Sequence, residues 1–256
     1  MSLEYISVVI IARDAAETIG ETLESVRAFG QVIVYDNGST DGTQDVARRF
    51  ENVRLVEGPF KGFGPTKNLA AGLADHDWIF SLDADEAVSE QLLVSIRGAE
   101  LSDARVAFEI CRLNYFMGLP VERGGWERDW LVRLYHRGSH QLSEAMVHEN
   151  VDVHPDSRVI RLQGVIEHQA VREIGQFLQK IDLYTELRRE SSTRTYPTGV
   201  IMVRAMWAFF RSYVIKLGFL AGWRGLVIAV SNFNGVFYKY MKIYADKAVR
   251  EEKSVG

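Results

Sequence analysis

The chain has 256 residues, 47% of them hydrophobic and 25% charged, which is ordinary for a globular protein with room for one substantial domain and an appendage. A net charge of −4 gives no whole-chain argument for nucleic acid, and a single cysteine, Cys111, excludes an internal disulfide and fits a reducing compartment. No uncharged run reaches 18 residues, so no single transmembrane helix is expected, and the short apolar run 6–12 reads as a first strand rather than a signal peptide.

Strands and helices then alternate. A strand is expected over 5–11, followed by a helix over 18–28 with Ile19, Leu23 and Val26 at helical spacing and Thr18 as its cap. A strand at 32–35, a helix at 43–50 and a strand at 53–56 follow. A glycine-rich loop, 58–65, leads to a helix at 66–74 and a strand at 78–82. This rhythm predicts an α/β fold, a mainly parallel central sheet flanked by helices and joined by right-handed crossovers. Past Asp85 the rhythm changes. A helix is expected over 89–98 and strands over 105–110, 113–117, 131–135 and 158–162, with a loop rich in Gly, Trp and charge at 118–129. Helices at 171–190, 201–220 and 225–244 complete the chain, so the expected division is 1–165 and a helical region 166–256.

Charge is uneven. From Arg204 onward there are nine basic and three acidic residues, a tail of +6 that leaves −10 on the rest. The tail is also rich in aromatics such as Trp207, Phe210, Phe219 and Trp223. Such a mixture suits a helix lying in a membrane interface over anionic lipid; the alternative is a hairpin packed on the first domain or a dimer interface.

The chemistry gathers at strand ends. The strand 78–82 runs directly into Asp83-Ala84-Asp85-Glu86. Ligands of open α/β sheets are met outside the carboxyl ends of the strands. Two carboxylates one residue apart offer hard oxygen ligands to Mg²⁺ or Mn²⁺ alongside substrate phosphate; the alternative is a helix cap or a solvated turn. Asp36-Asn37-Gly38-Ser39-Thr40-Asp41 is either a base- or ribose-binding loop or a plain strand–turn–helix junction. The first turn, Ala12-Arg13-Asp14-Ala15-Ala16-Glu17, lacks Gly-x-Gly-x-x-Gly, which disfavours an NAD site. The run Gly62 to Asn68 is no P-loop, although Lys67, early in a helix, can lie near a phosphate.

Together, Val8-Val9-Ile10-Ile11-Ala12-Arg13, the 36–43 loop, Gly62-Phe63-Gly64 with Lys67-Asn68, and Ser81-Leu82-Asp83-Ala84-Asp85-Glu86 resemble glycosyltransferase family 2, inverting enzymes of GT-A fold that use nucleotide-diphospho-sugars. Arg112-x-Asn114-Tyr115-Phe116-x-Gly118, Gly124-Gly125-Trp126, Asp129-x-x-x-Arg133-Leu134-Tyr135, Val147-His148-Glu149 and Gly218-Phe219-Leu220-x-Gly222-Trp223 are similar to the bacterial lipopolysaccharide core glucosyltransferase branch. Arg13-Asp14 and Arg123 depart from that pattern at the rim of the site. The resemblance implies a nucleotide-sugar half, 1–100, and an acceptor side, 101–165. It implies a UDP-sugar donor contacted by Ala12, Arg13, Asp14, Asp36, Gly38, Lys67, Asp83, Ala84 and Arg133. Asp85 and His148 would hold Mg²⁺ or Mn²⁺. Asp129 or Glu149 would serve as general base, with Glu127 and Glu86 as further carboxylates, and Trp126 would stack on the acceptor. It implies a lipid A–core or other lipid-linked acceptor, and a cytoplasmic protein peripheral on the inner membrane surface. A non-catalytic sugar-nucleotide-binding scaffold is the rival expectation.

Overall fold

The computed structural model describes residues 2–144, 150–191 and 194–255. After a short 3₁₀ turn the chain forms β1 (Ile6–Ala12), α1 (Ile19–Ser25), β2 (Gln31–Asp36), α2 (Thr43–Ala47), β3 (Val53–Glu57), α3 (Phe63–Gly72) and β4 (Trp78–Asp83). Then come β5 (Glu86–Val88), α4 (Glu90–Arg97), β6 (Val106–Phe116), β7 (Leu119–Pro120), β8 (Asp129–His136), β9 (Gln141–Leu142), β10 (Val151–Asp152) and β11 (Arg158–Val171). The chain ends in α5 (Ile174–Ser191), α6 (Thr198–Phe210) and the long α7 (Gly222–Val255).

The main sheet has the order β3-β2-β1-β4-β8-β6-β11-β5, with β7 beside β6. Strands β3, β2, β1 and β4 are parallel, as the alternation predicts. Antiparallel strands continue the sheet from β8 onward, so the whole is mixed. β1, β2 and all but the last residue of β4 are buried throughout, which is why they read as unbroken apolar runs. Alternate residues feed opposite faces: Val8, Ile10, Val32, Val34 and Phe80 pack on one, and Val9, Ile11, Ile33 and Ile79 on the other. At roughly 1.5–3 kcal/mol for each such side chain, this double-sided core fixes the four strands and hence the level of their carboxyl ends.

Several sequence expectations shift. The two strands at 105–110 and 113–117 are one, β6, and the strand at 158–162 extends to Val171. Val171 therefore closes a strand instead of opening a helix. Thr18 precedes α1 without a side-chain cap, whereas Ser89 caps α4 through Leu92 N. The helix expected over 201–220 is α6, a π-helical turn at Arg211–Ile215 and a 3₁₀ turn at Gly218–Ala221.

The chain divides into two compact units, 1–113 with 128–169, and 114–127 with 170–256. The stretch 114–127, read from sequence with the first domain, thus packs with the helices of the second. There Phe116, Val121, Val171 and Ile228 form a small core, with Trp126 and Phe177 against it.

Candidate active site

The site is built on the carboxyl ends of β2, β1 and β4. The register sets Ala12 beside Asp36 and Ile11 beside Asp83, so these positions lie at one level. The chain runs from β1 out through β2 to β3 and returns to β4 on the other side of β1. The crevice of such a sheet opens at that reversal.

The first two loops are laced together. Asp14, at φ +49°, donates its N–H to Ser39 Oγ at 2.9 Å and accepts from Thr40 N at 2.8 Å. Aspartate is one of the few residues that tolerates this left-handed backbone. Ala15 N donates to Thr43 Oγ1 and Ala16 N to Asp41 Oδ2. Asp36 is fully buried. Its Oδ1 accepts from Gly38 N, Ser39 N and Gln44 Nε2 at 2.9–3.0 Å, and its Oδ2 from Ser39 Oγ. Burial opposes its ionisation, but those donors outweigh burial and hold the carboxyl below its ordinary value. Asp36 is therefore spent on shaping its own turn, with Gly38 at φ +88° completing it. Arg13 stays exposed at the rim.

Beyond β4 lies a network of charge. Asp83 Oδ1 meets Lys67 Nζ at 2.5 Å, and its Oδ2 meets Arg133 Nη2 at 3.1 Å. Lys67 is fully buried on α3 and Arg133 nearly so on β8. Burial works against the Asp83 carboxylate, yet the two cations outweigh it and hold the group far below the usual carboxylate range. Lys67 and Arg133, expected on a diphosphate, are thus engaged by protein carboxylates. The backbone carbonyl of Ala84 accepts from Thr22 Oγ1 at 3.1 Å.

Asp85 stands in the turn between β4 and β5. The register of β5 with β11 sets Glu86 opposite His168, and His168 Nε2 comes within 3.3 Å of Asp85 Oδ2. Glu86 is wholly buried, accepts from Asp83 N at 3.0 Å and from Arg133 Nη2 at 2.8 Å, and lies 3.7 Å from Arg112 Nη1. Burial pushes its carboxyl up, and the Asp83 charge adds to this against Arg133. Sealed in this way, Glu86 organises the network and is not placed to take a proton from an incoming hydroxyl. Arg112 reaches on to Asp129, Nη2 to Oδ2 at 3.0 Å. Asp129 thus has a partner in Arg112, across the β6–β8 register. Asp129 remains about half exposed (49%).

The other expected residues lie elsewhere. Trp126 belongs to the second unit, its ring 5.9 Å from Phe116 and 5.8 Å from Phe177, which makes it a loop anchor there. Glu127, in the same unit, pairs with Lys216 at 2.8 Å. His148 and Glu149 fall outside the described residues. His168 and the bridging role of Arg112 were missed from sequence. His168 is 83 positions from Asp85, and only the pairing of β11 with β5 joins them.

Among the described residues no group of three or more His, Cys, Asp or Glu is placed to hold a metal ion unaided. The residues do fit a divalent cation that a substrate completes. Asp85 and His168 supply a carboxylate and an imidazole side by side. Four carboxylates, Asp83, Asp85, Glu86 and Asp129, face three fixed cations, Lys67, Arg112 and Arg133. With its fixed cations engaged by carboxylates, the network offers a diphosphate little free positive charge, and a cation held through one or two carboxylates and finished by phosphate oxygens is the usual Mg²⁺ arrangement.

Residues 7–113 match the family model described as glycosyl transferase family 2. Over these residues the chain is similar to glycosyl transferase family 2. The matched stretch carries Asp36, Lys67, Asp83 and Asp85, all on the first unit. The chain is 25% identical over 264 residues to the lipopolysaccharide core biosynthesis glycosyltransferase LpsC of Rhizobium meliloti, covering 98% of this chain and 96% of that one. It is 23% identical over 242 residues to an uncharacterized glycosyltransferase of Rickettsia typhi, covering 89% of this chain and 82% of that one. Among solved structures, it aligns with Staphylococcus aureus TarS in complex with UDP-GlcNAc at 14% identity and a TM-score of 0.42, over 90% of this chain and 81% of that one. The mixed α/β sheet with a long C-terminal helix agrees with the α/β fold expected from the sequence.

Proposed function

We propose that the protein moves a hexose from a UDP-sugar to a heptose of lipopolysaccharide core, with inversion at the anomeric carbon. The observation that carries the reading is the meeting of Asp83, Lys67 and Arg133 with Asp85 and His168 at the reversal point of the sheet, within the family 2 segment. The likeness to LpsC over almost the full length of both chains supports the acceptor.

The donor diphosphate lies at the carboxyl ends of β1 and β4, between the rim around Arg13 and the Asp83-Ala84-Asp85 turn. Asp83, held ionised by Lys67 and Arg133, faces the ribose side. Asp85 and His168 would hold Mg²⁺ or Mn²⁺, which would supply positive charge beside the leaving nucleoside diphosphate. Asp129 is the general base. Half exposed and held by Arg112, it accepts the proton of the acceptor hydroxyl as that oxygen bonds to the anomeric carbon and the bond from that carbon to the phosphate oxygen breaks.

The test is turnover of UDP-glucose with core oligosaccharide as acceptor, by the wild type and by Asp85→Ala. Product is expected from the wild type with added Mn²⁺. Asp85→Ala should lose more than about a hundredfold in rate while keeping its melting temperature, in line with the loss of a transition-state charge contact. Full activity in Asp85→Ala removes the role given to that carboxylate, and nucleotide binding without transfer to any acceptor favours a scaffold.

A further inference from the structure

The second unit carries an apolar surface that the transfer chemistry does not use. Of the 28 large hydrophobic side chains exposed among the described residues, 14 fall between Val200 and Val230. Met206, Trp207, Phe210, Phe219, Leu220 and Trp223 are each between 46% and 60% exposed. Scattered exposed leucines are normal on a soluble protein, but a concentration of this kind marks an interaction surface.

Its charge says what it meets. No Asp or Glu stands between Glu190 and Asp246, whereas seven Lys and Arg do. Arg204 and Arg211 are exposed among the apolar side chains. Lys216 pairs with Glu127 and Lys242 with Asp182 and Glu186, but two copies of this face brought together would still oppose the exposed Arg204 and Arg211 of one to those of the other. An anionic lipid surface supplies what the face lacks, acyl chains for the apolar side chains and phosphate for the basic ones.

The shape fits insertion from one side. Among the described residues no single helix is long and apolar enough to cross a membrane, but Thr198–Ile215 and Gly218–Arg250 are so together and are bent by 68°. At the elbow Leu217 takes φ +54°, a conformation that glycine would adopt without strain, and its side chain is 41% exposed. The elbow is braced from within the unit: Gly124 N donates to Lys216 O at 2.9 Å, and Ser212 Oγ donates to Gly124 O. Glycines 218 and 225 approach so closely that a Cβ on Gly225 would overlap Gly218 O. A strained, braced bend that holds leucine and phenylalanine outward is a built feature.

We propose that residues 198–230 dock this protein on an anionic phospholipid surface. The elbow enters the boundary between headgroups and acyl chains, and Arg204 and Arg211 rest on the phosphates. The docking does not depend on the sugar chemistry and is read without it.

The experiment is flotation of the purified full chain with vesicles of phosphatidylcholine alone or mixed with phosphatidylglycerol, alongside sedimentation velocity in lipid-free buffer. Binding is expected on the anionic vesicles, weakening as salt rises. Trp207→Ser and Leu220→Ser should each weaken it about tenfold, and Arg211→Gln about fivefold. The substituted positions are exposed, so melting temperature and UDP titration should match the wild type, which separates a failure here from a failure of the transferase reading. Absence of binding to either vesicle overturns the proposal. So does equal binding to neutral vesicles by wild type and Arg211→Gln, or a dimer in lipid-free buffer that Trp207→Ser and Leu220→Ser dissolve.

Discussion

At the scale of single residues the site is a balance between burial and charge. Lys67 has no exposed surface, and its ammonium lies 2.5 Å from Asp83. Breaking a buried pair by removing one partner costs about 3–5 kcal/mol, because the other charge is stranded. Asp83 keeps Arg133 and 31% of its side-chain exposure, so the low end applies. Lys67→Met should therefore lower the unfolding free energy by about 3 kcal/mol, measured from urea midpoints at constant slope. A change near zero would mean that the lysine is held for ligand alone. Glu86 gives a second test through pH. Its carboxyl is raised above the ordinary 4.5, chiefly by burial. Between 4.5 and the raised value the native state holds a proton that the unfolded chain has released, so stability rises as pH falls through that window. Glu86→Gln should lack this rise. Asp83 acts in the opposite sense and lower down. Its carboxyl is depressed, so the stability that it adds is lost only as pH falls below the ordinary 3.8. Unfolding titrations of wild type and Glu86→Gln from about pH 7 downward separate the two. Parallel curves above 4.5 would show that Glu86 titrates normally.

At the scale of elements, β11 positions His168, and Gly164 positions β11. Gly164 sits at φ +93°, and a Cβ there would lie 2.3 Å from Leu92 N and 2.6 Å from Leu92 Cα, both backbone atoms of α4. Backbone cannot yield as a side-chain tip does. Ser89 adds a second tie, accepting from Val165 N at 3.0 Å while it caps α4. Gly164→Ala should therefore cost about 3 kcal/mol from overpacking and the left-handed backbone together. It should also weaken any metal dependence of nucleotide binding, since His168 is four residues on. A shift below about 1 kcal/mol would show that the strand can slide on the helix. These elements also show what was legible beforehand. β1, β2 and β4 announce themselves because both faces are buried, and the strand-end rule then places Asp36, Asp83 and Asp85 without further information. His168 was invisible because β11 is half exposed and carries no clean alternation, and its pairing with β5 joins distant parts of the chain. Asp129 was legible as a strand start, but its link to Arg112 depends on the β6–β8 register, which includes an irregularity between Phe108 and Glu109. Asp36 was legible as a turn residue, yet only the count of four donors shows how fully that turn consumes it.

At the scale of the whole molecule, the two units are not consecutive halves of the chain. Sequence composition suggested a break near 165, because the helices begin soon after. Composition follows the chain, whereas packing follows space, and the segment 114–127 lies in the second unit. There, Met117 N donates to Val171 O at 2.7 Å, Arg224 Nε to Phe116 O at 3.2 Å and Gly124 N to Lys216 O at 2.9 Å. Phe116 and Val121 are buried against Val171 and Ile228. A chain ending at Gln169 would keep 114–127 and lose every one of those partners. The loop would then carry exposed Phe116, Val121 and Trp126 and unmatched backbone groups, each of the latter costing about 1–3 kcal/mol if it stayed dry. The expected outcome is a fragment that binds a hydrophobic dye, self-associates in sedimentation and melts well below the full chain, although the β3-β2-β1-β4 core is intact in its sequence. A chain cut at the same point that also has 114–127 replaced by a short polar turn joining β6 to β8 should recover a monomeric, cooperative melt. If the simple truncation alone were monomeric and melted like the full chain, the packing of 114–127 with the C-terminal helices would contribute nothing to folding, and a linear boundary near 165 would be the better description.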